Sequence, residues 1–383
     1  MREWLVNFLY CPVCTGKLNC NVFQRKDAEI EEAVLFCSCS RWYPVIAGIP
    51  KLIWGIYRDE FADFMKRHRS EIPVMIVDDP NTVVCSTKDQ VRDTFSAIWD
   101  RFPTFGIGEK EKEDFYNKWM VRKLGLGTVE ELFCYISGKK NLLEVGVGSG
   151  QKIRMMAKHT DGNVIGMDLS SGAVHAYRNT IDLPNVGIVQ ADLFSPPFRE
   201  GSFDFIISDG VLHHTGDTKK AFQRLVPLLC TGGEIAIRVY NKYGPIREFC
   251  DDYVRSVTTK MNEEKCWEFC KKITKLGQSL ARFKDDLVVP EDIEILGIKK
   301  GRYNLQRFFY YTILKCFHNP AFSFDENNLV NFDWYHPVDA HRHTVEEVKS
   351  WFKEAGLQEI VITEPESGIG ARGKKIRLND MRG

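Results

Sequence analysis

Carboxylates lie at the ends of three predicted strands, and a glycine-rich turn follows the first strand. The first apolar run, NLLEV, carries Glu144 and leads into the turn GVGSG. The glycines of this turn are Gly146, Gly148 and Gly150. Glycine permits positive φ angles and lets the backbone approach a ligand closely. Asp168 and Asp192 end the next two runs, and a carboxylate about 20 residues beyond such a turn is typical of a site for a ribose-containing cofactor.

The elements that must position these residues follow one another as alternating strands and helical spacers. Apolar runs at 141–145, 163–168, 186–192, 202–209 and 232–240 are the predicted strands. This alternation predicts an α/β fold with a doubly wound, Rossmann-like parallel sheet and helices on both faces. In such a sheet the ligand lies over the carboxyl ends of the strands.

At these residues the chain resembles the class I S-adenosylmethionine-dependent methyltransferases, particularly the enzymes of ubiquinone and menaquinone biosynthesis. The resemblance covers about residues 138–240 and implies S-adenosylmethionine as cofactor. It implies cofactor contacts from the glycine turn and from Glu144, Asp168, Leu169, Asp192, Leu193 and Asp209. A nicotinamide-dependent dehydrogenase is the competing interpretation of the turn and the first acid. The third acid and the Gly-Val-Leu-His-His segment after Asp209 have no role in a plain dinucleotide site.

Four of the 12 cysteines form a second pattern: Cys11 and Cys14 in C-P-V-C-T-G, and Cys37 and Cys39 in C-S-C. Paired cysteines in hairpin-like contexts are typical of a tetrahedral structural zinc site. The segment resembles the small zinc-ribbon proteins that activate transfer-RNA methyltransferases. It departs from them in its C-x-C pair and in Ser40, which stands where glycine is common. Cys20 is a free thiol in the favoured interpretation and a substitute ligand in the other.

The charge pattern argues against a large anionic partner. The chain has 52 basic and 52 acidic residues, so no net field draws it to nucleic acid or to a membrane. The ribbon has nearly equal numbers of basic and acidic residues, which favours a role in stabilising the fold or docking a protein partner. We see no secretory signal and no membrane-spanning run, and so expect a cytoplasmic protein with reduced thiols.

These patterns divide the chain into five predicted segments. They are a zinc ribbon (1–54), a helical lead-in (55–137), the cofactor-binding core (138–240), a largely helical lid or substrate insertion (241–340) and the C-terminal part of the core (341–383). Most aromatic residues of the lead-in should pack in the core. The resemblance implies that one or two of Phe95, Trp99 and Phe105 line the site.

Histidines supply the predicted proton acceptors. In-line methyl transfer requires aligned reactants and, for some nucleophiles, a general base. The candidates in order are His213, His336 and His214, and a packing role is the alternative for each. Residues 332–343 carry three histidines in a segment expected to be irregular, where substrate contact, a solvated loop and a metal bound by His336, His341 and His343 are the alternatives.

Three functions remain open from the sequence. The leading one is methylation of a small-molecule metabolite at oxygen, nitrogen or carbon. The second is methylation of ribosomal or transfer RNA, with the ribbon used for recognition. The third is a noncatalytic, cofactor-binding partner protein.

Overall fold

A computed structural model of the protein describes residues 1–53, 58–69, 71–72, 86–365 and 368–376. The chain forms two compact units. The first comprises Met1–Tyr240 and His343–Gly383, and the second comprises Asn241–Arg342.

The first unit contains most of the strands. Its strands are β1 (Asn19–Lys26), β2 (Glu29–Phe36), β3 (Trp42–Ile46), β4 (Ile49–Leu52), β5 (Asn141–Val145), β6 (Asn163–Asp168), β7 (Val186–Ala191), β8 (Phe203–Asp209), β9 (Leu229–Asn241, whose last residue lies past the unit boundary), β13 (Gln358–Thr363) and β14 (Ile369–Lys374). Its α-helices are α1 (Arg58–His68), α2 (Ser86–Arg101), α3 (Lys110–Leu124), α4 (Val129–Ser137), α5 (Gln151–Lys158), α6 (Gly172–Thr180), α7 (Thr218–Leu225) and α12 (Val345–Glu354). Short 3-10 helices span Glu3–Phe8, Leu212–His214 and Val226–Leu228.

These strands form one mixed sheet in the order β1-β2-β3-β4-β7-β6-β5-β8-β9-β14-β13. Strands β5 to β9 are parallel to their neighbours within this group, whereas β14 runs antiparallel to both β9 and β13. Every residue of β7 is buried, because helices cover both faces of a parallel sheet. Apolar clusters on the two faces confirm the predicted doubly wound, Rossmann-like fold.

The N-terminal ribbon is continuous with this sheet. Strands β1 to β4 form an antiparallel meander, and β4 then pairs in parallel with β7. The register places Lys51 opposite Gln190 and Leu52 opposite Ala191. The sequence patterns of the ribbon and the core give no sign of this pairing, because strand partners distant in the chain leave no local signal.

The second unit is largely helical, as predicted for the insertion. It contains α8 (Pro245–Thr258), α9 (Glu263–Leu280), α10 (Leu305–Thr312) and α11 (Phe324–Tyr335), together with a 3-10 turn at Glu294–Leu296. An unpredicted hairpin joins β10 (Asp286–Val289) to β11 (Gly301–Asn304). The short strand β12 (Arg342–His343) lies at the boundary of the units.

Two expectations for the second unit are wrong in part. Of the segment predicted to be irregular, residues 332–335 form the last turn of α11, where Phe332, Trp334 and Tyr335 are buried, whereas 336–341 lie outside helices and strands. This helix starts with a capping box at Ser323 and Glu326, a local signal that the histidine-rich composition obscured. The aromatic residues of the insertion, Tyr253 among them, predict an apolar interior, whereas Tyr253 is 68% exposed on the outward face of α8.

Helix α12 begins and ends at the residues whose types favour helix ends. Thr344 caps α12 in a capping box with Glu347, and Gly356 ends it with φ 71°. The predicted turn at 76–79 and the start of the helix predicted from residue 54 lie outside the described residues. Within the described ranges, none of the helices combines the length and apolar character needed to cross a bilayer.

Candidate cofactor and metal sites

The glycine turn between β5 and α5 adopts the backbone that its sequence predicts. Gly146, Gly148 and Gly150 have φ angles of 81°, 54° and 89°. Residues other than glycine rarely adopt these φ angles. A Cβ on Gly146 would stand 2.1 Å from a methyl carbon of Val211, so the turn also has no room for a side chain there.

Asp168, at the end of β6, is bonded directly to this turn. Its Oδ2 accepts a hydrogen bond from the backbone N–H of Gly148 at 2.9 Å. Its Oδ1 accepts from the backbone N–H and the hydroxyl of Ser170 at 2.8 and 2.7 Å. Burial raises the pKa of Asp168, while these hydrogen bonds oppose the shift. The carboxylate therefore has a fixed orientation beside the glycine backbone.

Helix α2 covers the turn with an indole ring. Ideal Cβ positions on Gly148 and Gly172 lie 2.5 and 2.9 Å from atoms of the Trp99 ring. The Phe95 ring lies 4.9 Å from that of His214, and the Phe105 carbonyl accepts from the Ser149 hydroxyl at 2.8 Å. All three aromatic residues singled out in the lead-in thus contact the elements around the turn.

Asp192 follows β7 and has a cationic neighbour. Its Oδ2 accepts a hydrogen bond from the Lys88 ammonium, and its Oδ1 accepts from the Phe194 N–H at 3.0 Å. Two residues earlier, in β7, the Gln190 side-chain amide donates to the carbonyls of Leu169 and Ser170 at 3.3 and 3.0 Å. The strand therefore holds the loop that follows Asp168. Leu193 is half-buried against the main core.

A cluster of buried charges lies where β5 and β8 end. Asp209 contacts the ammonium of Lys123 at 2.6 Å, that of Lys152 at 3.7 Å and the guanidinium of Arg238 at 3.7 Å. Glu144 is fully buried and contacts Lys152 at 3.3 Å. The sequence singled out the two acids but missed the three cations, which come from α3, α5 and β9.

The pKa values of this cluster depend on burial and on the opposite charges. Burial raises the pKa of Glu144 to about 7, against the opposing effect of Lys152. Burial also lowers the pKa of Lys123 to about 7, against the opposing effect of Asp209. For Asp209 itself, the three cations outweigh burial and hold its pKa well below the ordinary value.

These residues fit the cofactor that the resemblance implies. A ribose diol requires acceptors, which the Asp168 carboxylate supplies. The position that a Cβ on Gly148 would fill is taken by the Trp99 ring, which packs against the turn beside Asp168. An ammonium group requires buried acceptors, and the carboxylate of Glu144 offers them at the end of β5.

His213 and His214 lie in the 3-10 helix after β8. The His213 side chain is fully buried, with its ring 3.7 Å from that of Tyr240 and 4.3 Å from that of His214. The His214 ring lies 5.3 Å from that of Tyr240. The two histidines therefore form an aromatic group with Tyr240 and Phe95 beside the carboxyl end of β8.

His336 lies in the second unit, directly after α11. Its ring stacks on Phe332 at 4.7 Å and 13°. Burial lowers its pKa from the ordinary value of 6.5. Among the described residues, the four ribbon cysteines form a group that could hold a metal ion, and no histidine belongs to such a group.

The lowered pKa of His336 predicts that the protein loses stability in acid. Because the unfolded chain takes up the proton first, the free energy of unfolding falls as the pH drops below about 6.5 and stops falling below the pKa of the folded state. In urea unfolding at about pH 7 and about pH 5.5, His336→Gln should lose less stability on acidification than the wild type does. The control is the same substitution at the half-buried His341, since His341→Gln leaves His336 in place and should retain the wild-type loss. Equal losses in the wild type and His336→Gln would contradict the assignment.

The four ribbon cysteines converge on one point. Their Sγ atoms all lie within 4.8 Å of one another, with Cys14 and Cys37 at 3.3 Å and Cys11 and Cys39 at 3.8 Å. Sulfur ligands about 2.3 Å from a tetrahedral zinc ion stand about 3.8 Å apart, so the cluster is compatible with zinc.

The backbone around the cysteines is shaped for such a cluster. A Cβ on Gly16 would lie 3.0 Å from the Cys37 sulfur. Ser40, at the position where glycine is common, has a φ of 66° and donates its N–H to the Cys37 carbonyl at 3.0 Å. The turn thus keeps the left-handed backbone despite the substitution. Cys20 lies on β1 outside the cluster, in agreement with its interpretation as a free thiol.

Comparison with known proteins finds similarity within the core. Residues 143–237 match the family described as "Methyltransferase domain". Phosphoethanolamine N-methyltransferase 2 of Caenorhabditis elegans is 30% identical over 119 residues, which are 30% of this chain and 27% of that protein. The mitochondrial arginine-hydroxylase NDUFAF5 of Mus musculus is 32% identical over 85 residues, 22% of this chain and 24% of that protein. The chain thus spans about a quarter of the length of these relatives.

A solved structure of similar topology is the N-methyltransferase NodS of Bradyrhizobium japonicum in complex with S-adenosyl-L-homocysteine. It is 13% identical with a TM-score of 0.39, and the alignment covers 76% of this chain and 100% of that one. The sheet and the glycine turn give the core a Rossmann-like methyltransferase fold, and residues 143–237 within it match the methyltransferase-domain family.

Proposed function

We propose that the chain is an S-adenosylmethionine-dependent methyltransferase that transfers a methyl group to oxygen, nitrogen or carbon of a small-molecule acceptor. The observation that carries this proposal is the hydrogen bond from Gly148 N–H to Asp168, which joins the glycine turn and the ribose acid within the matched segment. A small acceptor is supported by the phosphoethanolamine methyltransferase among the relatives and by the balanced charge.

The bound cofactor would supply a methyl group activated on a sulfonium. Asp168 with Leu169 would hold the ribose, and Asp192 with Leu193 would hold the adenine. Glu144 would accept from the ammonium group, while Asp209 would compensate the positive charges of Lys123 and Lys152, which it contacts. Trp99 would exclude water from the glycine turn, which favours an in-line reaction.

We further propose that Cys11, Cys14, Cys37 and Cys39 hold a structural zinc ion. The metal would stabilise the ribbon, whose last strand pairs with β7. The nearly balanced charge of the ribbon favours a protein surface over RNA as its contact.

The acceptor class can be determined with labelled S-adenosylmethionine. Purified protein is incubated with the cofactor and, separately, with a metabolite extract and with total RNA. Label in the metabolite fraction, absent with Asp168→Ala, is the expected result. Label in RNA would show that the methyl acceptor is RNA and not a small molecule. Bound cofactor without label in either fraction would favour a noncatalytic partner protein.

His213 is the first proposed proton acceptor, followed by His336 and His214. His213→Phe keeps a ring against Tyr240 but removes both nitrogens. If the acceptor must lose a proton, kcat should fall about a hundredfold or more while cofactor affinity stays unchanged. His159→Phe is the control, because His159 stacks on Phe133 at the end of α5 away from the glycine turn. Unchanged kcat in His213→Phe would assign the residue to packing.

A further inference from the structure

The second unit buries an arginine whose donors are only partly used. The Arg247 side chain, on α8, is 0% exposed. Its Nε donates to Asp251 Oδ2 at 2.5 Å, and its Nη1 donates to the Tyr310 carbonyl. Its Nη2 has no hydrogen-bond partner among the described residues. Buried polar groups are nearly always hydrogen-bonded, so two unused N–H donors require an explanation.

The neighbouring carboxylate is already engaged. Asp251 Oδ1 accepts from the Tyr335 hydroxyl at 3.1 Å and from the Lys315 backbone N–H at 3.3 Å, while Oδ2 faces Arg247. Rotating Asp251 toward Nη2 would break these contacts. The available acceptor on Asp251 is therefore committed to the Nε side of the guanidinium.

Aromatic rings surround the guanidinium. Its carbon lies 4.8 Å from the Tyr243 ring centre, 5.1 Å from that of Tyr310 and 5.2 Å from that of Trp334. Lys315, which has further interactions of its own, places its ammonium 4.3 Å from the same Trp334 ring. Tyr310 and Trp334 are buried, whereas Tyr243 is half-buried. Because the guanidinium is 0% exposed, a ligand would reach it only if the half-buried Tyr243 ring moved aside.

We propose that Arg247 binds an oxyanion, a carboxylate or a phosphate, of a small molecule through Nη2. Guanidinium groups match the geometry of these oxyanions, and charge-assisted hydrogen bonds are about twice as strong as neutral ones. Binding of this oxyanion to the second unit does not depend on the proposed function of the first unit.

The test is calorimetry of the full chain, without S-adenosylmethionine, using benzoate, phenyl phosphate and the neutral analogue benzamide. Benzoate or phenyl phosphate should bind and benzamide should not, and the stronger of the two anions identifies the oxyanion class. Arg247→Lys keeps the positive charge but loses the planar pair of guanidinium N–H donors, so anion binding should weaken about tenfold or more. Arg302→Lys, the same change at a side chain that is 74% exposed, should bind like the wild type.

A second variant guards against misfolding of Arg247→Lys. Asp251→Asn keeps the shape of the side chain but removes the internal anion, so benzoate should bind more tightly and raise the Tm further than in the wild type. Absence of anion binding, equal binding of benzamide, or no effect of either variant would overturn the proposal. Methyl transfer without oxyanion binding would overturn the oxyanion site and leave the proposed function intact. Oxyanion binding without methyl transfer would support the oxyanion site and contradict the proposed function.

Discussion

Replacing Asp168 by alanine is expected to weaken binding of S-adenosylmethionine by roughly a hundredfold or more. The carboxylate would accept two hydrogen bonds from the ribose diol, and hydrogen bonds to charged groups contribute about 1.5–3 kcal/mol each. The same substitution removes the acceptor for the Gly148 and Ser170 N–H groups, so the turn also loses its internal support. Isothermal titration of the cofactor measures the effect, and thermal unfolding shows whether the fold persists.

Two further variants show whether the effect of Asp168→Ala comes from the lost charge and from this position in the chain. Asp168→Asn keeps one acceptor oxygen and should lie between the wild type and Asp168→Ala in affinity. Asp161→Ala removes a carboxylate from an exposed turn before β6 and should bind like the wild type. Wild-type affinity in Asp168→Ala would remove this residue from the cofactor site and, with it, the main support for the proposed function.

The sequence predicted the parts of the fold that local patterns encode. Buried parallel strands are continuous apolar runs, and the glycine turn needs residues that tolerate positive φ, so both can be recognised without knowledge of tertiary contacts. The ribbon cysteines were recognised for the same reason, because two short spacings determine which sulfurs converge.

Contacts between distant segments could not be predicted in this way. Lys88, Lys123 and Arg238 reach the site acids from α2, α3 and β9, and nothing in their own neighbourhoods marks them. The prediction for Asp209 as a cofactor contact therefore omitted its ion pairs. Similarly, a histidine-rich composition suggested a loop over 332–343, whereas residues 332–335 belong to α11, whose cap at Ser323 lies nine residues before Phe332.

Replacing Cys37 by serine is expected to abolish tight zinc binding and to destabilise the first unit. Structural zinc sites of four ligands bind with about 10–16 kcal/mol, so one ligand accounts for about 2.5–4 kcal/mol, or roughly a hundredfold to a thousandfold in affinity. The ribbon residues Leu35, Tyr43 and Val45 belong to the same apolar cluster as Leu143 of β5. Disorder in the ribbon should therefore lower the Tm of the methyltransferase core as well.

The decisive comparison is Cys20→Ser, which removes a cysteine from the ribbon without touching the four-sulfur cluster. Zinc content measured by elemental analysis should stay near one ion per chain in this variant and fall toward zero in Cys37→Ser. A chelator should lower the Tm of the wild type and of Cys20→Ser, but should leave Cys37→Ser unchanged, because that variant has no metal to lose. A wild-type protein that binds no zinc after reduction would contradict the metal assignment. Zinc loss without a change in Tm would instead show that the shared apolar core holds the ribbon in place without the metal.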